Sequence, residues 1–400
     1  MRRIILISLT LGLAVFLGWR FLRPMQIFVV SPAFERPVST AEAPAMFGSL
    51  SARECAECHQ EFFAEWSTSI HSQAWTDPYF QVDWQFEGSP QICKNCHIPL
   101  DRQQEHTVLG FRDQEKLDPI LEANDKFDKQ LQHEGVTCAA CHLRDGKILG
   151  VLGLTDSPHA VETLDNANRI CIGCHVVSGE RWDTFFKFPP CGTVAEIQSG
   201  GEPRKVVGSG EFSATELADL GCVECHMPLQ ERPLVAGGSI RKVRQHLWRG
   251  GHDPEMVTRG LTVNFSAPAD AATDNDSFVL AISNTGAAHY IPTGTPDRHL
   301  TVALRLLDTH NRLLLEQLHV LKRRVMWRPF IVDLWDTRLP RGEQREYTLR
   351  IPDEFKGEAA TVEATVTYHL LDEARRQRIA YQNETPIQYP IYRKAIKLNP

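Results

Sequence analysis

The chain lacks the signatures of several common enzyme classes. It has no Ser-His-Asp order, no P-loop and no His-Glu-x-x-His, so it shows none of the sequence marks of a serine hydrolase, a P-loop nucleotide enzyme or a zinc protease. The polar stretch from Gly200 to Gly210 has no phosphate-binding fingerprint either, and is given no nucleotide role. Basic residues are not in excess: 43 Lys and Arg stand against 50 Asp and Glu, a formal charge of −7, which argues against a nucleic-acid partner. Methionine is scarce, at 6 residues, and cysteine is absent after Met256. Disorder is not the default, because 42% of residues are apolar and 23% charged. A length of 400 residues is enough for two or three domains.

What is present begins with a targeting pattern. Met1-Arg2-Arg3 precedes an apolar run, Ile4 to Trp19, which Phe21 and Leu22 extend with Arg20 snorkelling. No small-x-small cleavage site follows directly, so residues 1–24 read as a signal anchor, with a cleaved signal peptide as the alternative. The basic pair favours a cytoplasmic N-terminus and an exported body. That places the chain at the inner membrane with its bulk in the periplasm. Residues 25–50, rich in Pro, Ala and Ser, read as a linker.

The remainder divides by texture into a multidomain chain. Residues 51–256 hold all eleven cysteines and eleven of the sixteen histidines, and read as a mostly helical, loop-rich domain with helices over Glu61–Ala74 and Lys116–Leu131. Residues 257–400 contain β-type runs at Leu261–Ser266, Ser277–Asn284, Leu300–Leu307, Leu313–Val320, Arg345–Ile351, Ala360–Leu370 and Arg378–Gln382. Their alternation predicts an antiparallel β-sandwich, with a small barrel as runner-up.

Five times the chain writes Cys-x-x-Cys-His. The copies are Cys55, Cys58 and His59; Cys93, Cys96 and His97; Cys138, Cys141 and His142; Cys171, Cys174 and His175; and Cys222, Cys225 and His226. This is the attachment signature of c-type haem: two thiols form thioethers with the porphyrin, and the adjacent imidazole becomes the proximal iron ligand. Zinc is the competing reading, but zinc sites do not require a histidine after every second cysteine, and five pairs do not divide into four-ligand sites. The expectation is a cytochrome with five covalent haems. No Cys-x-x-Cys-Lys variant, one known catalytic type, is present.

Each iron needs a sixth ligand or an open position, and the non-motif histidines available are His71, His106, His133, His159, His246, His252 and His289. His71 lies twelve residues after His59. On a continuous helix that is about 18 Å, too far to clamp one iron, so His71 should serve a different haem. The same logic applies to His133, five residues before Cys138. His159, and His246 with His252 in HLWRGGH, are further distal candidates. His106 lies in a polar stretch and reads as ordinary. His289, in the Gly/Pro-rich NTGAAHYIPTGTPDRH loop, either reaches across to a haem or makes a hydrogen-bonded turn, with His299 on the following strand. Cys191, the one cysteine outside the motifs, reads as buried. The basic cluster Lys322, Arg323, Arg324 and Arg328 reads as a solvated face, with partner or lipid docking as the alternative.

CAECHQEFFAEWSTSIHSQAW and HEGVTCAACH resemble elements of the cytochrome c554 family, over roughly residues 51–230. The resemblance implies a mostly helical, haem-packed domain in which His71 and His133 are distal ligands to other haems. Five motifs and an added β domain depart from the four-haem members, and HLWRGGHDPEMV and GAAHYIPTGTPDRH look like elements of larger relatives with C-terminal β domains. The leading function is electron relay between redox proteins or from a quinol-side donor to an acceptor. The alternative is catalysis on a small nitrogen or sulfur compound at one five-coordinate haem, and a third is a binding module.

Overall fold

Alternating apolar side chains build the C-terminal half of the molecule, and short turns of helix carry much of the rest. The computed structural model describes residues 2–22, 36–113, 116–152, 157–175, 184–185, 188, 191–199, 220–267 and 276–398. Residues 23–24 of the predicted anchor, 25–35 of the linker and the Gly200–Gly210 loop lie outside them. The chain is multidomain, with an N-terminal apolar helix and substantial sheet content. That helix, α1, spans Arg2–Leu22, and among the described residues it alone is long and apolar enough to cross a membrane.

The cysteine-rich region is built from short helices with small sheets between them. β1 (His106–Phe111) pairs with β2 (Pro119–Ala123). β3 (Leu143–Arg144), β4 (Lys147–Gly150) and β5 (Val161–Thr163) form a second sheet. After the two-residue β6 (Thr184–Phe185), β7 (Leu229–Pro233) pairs with β8 (Ile240–Arg244). Two predicted helices are cut back. The one over Glu61–Ala74 is helical only as Gln60–Ser67. Beyond it, the Ser67, Thr68 and Ser69 hydroxyls donate to the carbonyls of Ala64, Glu65 and Trp66, three residues back, and end the helix in turns. Over Lys116–Leu131 the chain instead makes β2 and a short helix, Lys129–Gln132, because pairing with β1 overrides the local pattern.

Past Pro254–Gly260, a helix capped by the Asp253 carboxylate, two sheets share one core. β9 (Leu261–Ser266), β10 (Ser277–Asn284) and β14 (Gln344–Arg350) form the first, in the order β14-β10-β9. β11 (His299–Asp308), β12 (Leu313–Met326), β13 (Ile331–Asp336), β15 (Ala359–His369) and β16 (Gln388–Lys397) form the second with β6, in the order β16-β15-β11-β12-β13-β6. Phe278, Leu280 and Ile282 of β10 face Leu300, Val302, Leu304 and Leu306 of β11 and Val362, Ala364 and Val366 of β15 in that core. The period of two places every second residue inside. Arg378–Gln382, expected as a strand, is instead the end of a helix, Glu373–Arg378, followed by a turn with Ala380 at φ 55.

The two halves are joined at several points. β6, from the cysteine-rich region, pairs in parallel with β13. Arg375 bonds both Asp83 and Glu87 at 2.6 Å. Thr193 and Thr293 hydroxyls meet at 2.9 Å. Because Leu304 is fully buried between the sheets, Leu304→Ala is expected to cost about 2–5 kcal/mol of stability. Denaturant unfolding followed by far-ultraviolet circular dichroism checks this.

Candidate functional site

Each Cys-x-x-Cys-His copy folds as one helical turn, which puts cysteines three residues apart on one face with the histidine beside them. The helices Gln91–His97, Cys138–His142, Asn168–His175 and Cys222–His226 all end at their histidine. In the first copy, His59 N–H donates to Cys55 O at 2.9 Å, closing the same turn. Thiols of different copies touch: Cys55 with Cys138, Cys96 with Cys174, and Cys171 with Cys222. All eleven cysteines are free, so these contacts are not disulfides. Among the described residues, no cluster of three or more His, Cys, Asp and Glu is gathered as a metal site.

Four of the motif histidines hold a ring nitrogen against a backbone carbonyl. Nδ1 of His59 lies 2.9 Å from Leu234 O, that of His97 2.6 Å from Ala74 O, that of His142 2.7 Å from Leu149 O and that of His226 2.7 Å from Arg249 O. An Nδ1–H donating to a carbonyl fixes the neutral tautomer and leaves the Nε2 lone pair free for a metal. Burial favours the neutral form, lowering the pKa of His97, His142, His175 and His226, and outweighs the carbonyl hydrogen bonds that act the other way at His97, His142 and His226.

Three motif imidazoles face a second imidazole across a gap. Ring centres are 6.4 Å apart for His175 and His71, 6.0 Å for His142 and His246, and 6.4 Å for His226 and His289. With metal–nitrogen bonds of about 2 Å, two imidazoles on opposite sides of one iron stand about 6 Å apart. The residues therefore fit a haem iron at the third, fourth and fifth motifs, the proximal histidine from the motif and the distal one from elsewhere in the chain. Burial pushes His71 down to about 3, with His175, His226 and His97 adding to the effect, and burial with the nearby His142 takes His246 to about 4.

The other candidates are placed differently. His159 is lowered by burial and then by His59, and its ring lies 6.0 Å from Phe47. His252 is pushed down to about 4 by burial and Arg298, with Asp77 opposing. His133 caps the end of the Lys129–Gln132 helix and is exposed, and no described contact joins it to a motif histidine. His97 is stacked by Phe80, rings 3.6 Å apart at 9°.

The side chains that hold the imidazoles facing the motif histidines were not visible to motif reasoning. Glu65 Oε2 accepts from His246 N–H at 2.8 Å, and Arg232, itself buried, grips both Glu65 oxygens at 2.7 Å. Phe62 packs under the Arg232 guanidinium at 4.2 Å and against His246 edge-on at 5.0 Å. Trp248 stands between His71 and His246, 4.9 and 5.1 Å from the two rings. His289 is carried by a loop tied down through Glu196, which accepts from Tyr290 N–H at 3.1 Å and pairs with buried Arg338 at 2.6 Å. Burial works against the Arg338 charge, but Glu196 and Asp336 outweigh it and raise its pKa. The available signal was the Glu61 and Glu65 spacing of one helical turn beside a haem motif, which reads equally well as solvated surface.

Charge-assisted hydrogen bonds of this kind are worth about 1.5–3 kcal/mol each. Glu65→Ala is expected to loosen His246 and convert one haem in part to the high-spin state, whereas Glu65→Gln keeps an acceptor oxygen and stays close to wild type. Optical and electron paramagnetic resonance spectra of the ferric protein distinguish them.

No family model and no curated protein matches the chain. Among solved structures, the crystal structure of a penta-heme cytochrome c552 from Thermochromatium tepidum superposes with a TM-score of 0.60 at 21% identity, covering 88% of this chain and 99% of that one. At that identity the likeness is one of fold, and it runs through both halves of the chain.

Proposed function

We propose that this chain is a periplasmic, membrane-anchored c-type cytochrome that relays electrons between redox partners through five covalently bound haems. The observation that carries the reading is the set of three cross-chain imidazole pairs at 6.0–6.4 Å, each including a motif histidine. When bound, haem supplies one-electron ferric–ferrous chemistry. The chain's own residues do the rest. The ten motif cysteines form the thioethers. His59, His97, His142, His175 and His226 are the proximal ligands, and His71, His246 and His289 are distal ligands to the fourth, third and fifth haems. His159 is the distal candidate for the first haem, because His59 is the motif histidine that acts on it most strongly. His133 and His252 remain candidates for irons still lacking a partner.

Thiol contacts between copies bring neighbouring attachment points together, which suits electron transfer between adjacent haems. Residues 51–256 form the haem domain in this reading, and 257–400 a β-sandwich whose loop supplies His289. Helix α1 is the anchor that holds the body at the outer face of the inner membrane. Kinship with the cytochrome c554 family rests on the first-motif and HEGVTCAACH elements. Donor and acceptor belong to the general class of redox proteins or a quinol-side donor.

A second reading is favoured at the second haem alone. The described ring contact of His97 is Phe80 rather than a second imidazole, and the cation Arg298 stands beside His252. An open position there fits catalysis on a small nitrogen or sulfur compound.

Carbon monoxide binding to the ferrous protein separates the two. Relay predicts binding well below one molecule per chain, and catalysis at an open iron predicts stoichiometric binding. His289→Ala is expected to add one carbon monoxide site, and His289→Met to raise one midpoint potential. Unchanged spectra and potentials in both variants contradict the ligand assignment of His289.

A further inference from the structure

We propose that the β domain rests on the membrane surface through the Trp327–Phe330 loop and the adjoining edge of β6 and β13, and that the surface it takes is a bilayer with anionic headgroups. The inference rests on the anchor reading of α1. Most of that helix is open: Ile4, Leu6, Leu9 and Leu13 are more than half exposed. Among the described residues, its far end meets the body at the Trp327–Phe330 loop. Phe16 and Phe330 have ring centres 6.2 Å apart, the Arg20 guanidinium lies 5.5 Å over the Phe330 ring, and Arg328 donates to Phe21 O.

Depth follows from helix geometry. Phe16 is six residues before Leu22, about 9 Å along the axis. A side chain packed against Phe16 reaches below the level at which the helix leaves the membrane, to the boundary between headgroups and acyl chains. Phe330 is such a side chain.

The surface beside it has the matching composition. Phe185 of β6 pairs with Val332 of β13, and Leu334 and Trp335 follow on β13. Phe185 is 58% exposed, Leu334 48% and Trp335 53%, an apolar edge that a water-facing strand does not need. Arg324, opposite Trp335 in the register, holds its guanidinium 5.7 Å over that ring. Trp and Phe interleaved with Arg is the composition of a bilayer interface. The charge selects anionic lipid: Lys322 and Arg323 are neutralised by Asp372 and Asp333, whereas Arg324 lies exposed on β12 opposite Trp335, and Arg328, half-buried, stands on the loop itself. Two contacts, the helix and this edge, would fix the tilt of the haem-bearing body over the membrane, where one anchor alone leaves it free to swing.

The test uses the full haem-loaded chain in nanodiscs of phosphatidylethanolamine with and without phosphatidylglycerol. A benzophenone amino acid replaces Leu11, Phe330, Trp335 or Leu229, the last being 60% exposed on β7, and light-induced lipid adducts are read by mass. Adducts at positions 11, 330 and 335 and none at 229 are the expected result. At 335 the yield should fall several-fold without phosphatidylglycerol, and likewise when Arg324→Gln and Arg328→Gln are combined. Adducts at 11 without any at 330 or 335 overturn the docking surface and leave the anchor standing. No adduct at 11 overturns the anchor and the proposal with it. A yield at 335 indifferent to phosphatidylglycerol overturns the choice of anionic lipid.

Discussion

An imidazole binds a metal only along its lone pair, so two imidazoles that share an iron must oppose each other at a fixed separation of about 6 Å. In the proposed reading the fold serves that constraint at three places, and in none of them do both histidines come from the same stretch of chain. His71 leaves the first-motif region to meet His175; His246 follows β8 to meet His142; His289 comes from a loop of the β half to meet His226. Each pair ties together segments that their own short helices hold only weakly, since helices of five to eight residues have little stability of their own. In the same reading, covalent attachment at both cysteines would allow such a loop-rich body to retain haem without a large apolar core.

The β half then has a structural task beside any docking role. Its two sheets share one apolar core, and a rigid support of that kind is what a loop needs in order to present a side chain accurately. The buried Glu196–Arg338–Asp336 group shows how the loop is fixed: Glu196 comes from the cysteine-rich half, yet it bonds the backbone of Tyr290, next to His289. Removing one member of such a buried group leaves an uncompensated charge, so the interface is stiff. On the other side of the haem region, Arg232 and Glu65 do the same for His246.

The strands Leu261–Ser266 and Ser277–Asn284 could be read from alternation because each has one face in the core and one in solvent. Ile331–Asp336 and Gln388–Lys397 escaped, being edge-side strands whose pattern is set by their neighbours more than by their own sequence. Arg378–Gln382 misled because the helix signal lay just upstream, where the Asp372 carboxylate accepts from Ala374 N–H at 2.9 Å. The five motifs were legible since their chemistry is local, three side chains within one turn. Which distal histidine meets which motif was not, because that is a tertiary fact; spacing says only that His71 and His59 cannot share an iron on a continuous helix.

The central claim is that iron sits between these imidazoles. Crystals of the chain matured in a host able to attach haem, measured at the iron absorption edge, test it most directly. The account predicts five anomalous peaks, three of them midway between His71 and His175, His142 and His246, and His226 and His289. Peaks lying away from those midpoints, or no iron at all, would contradict it.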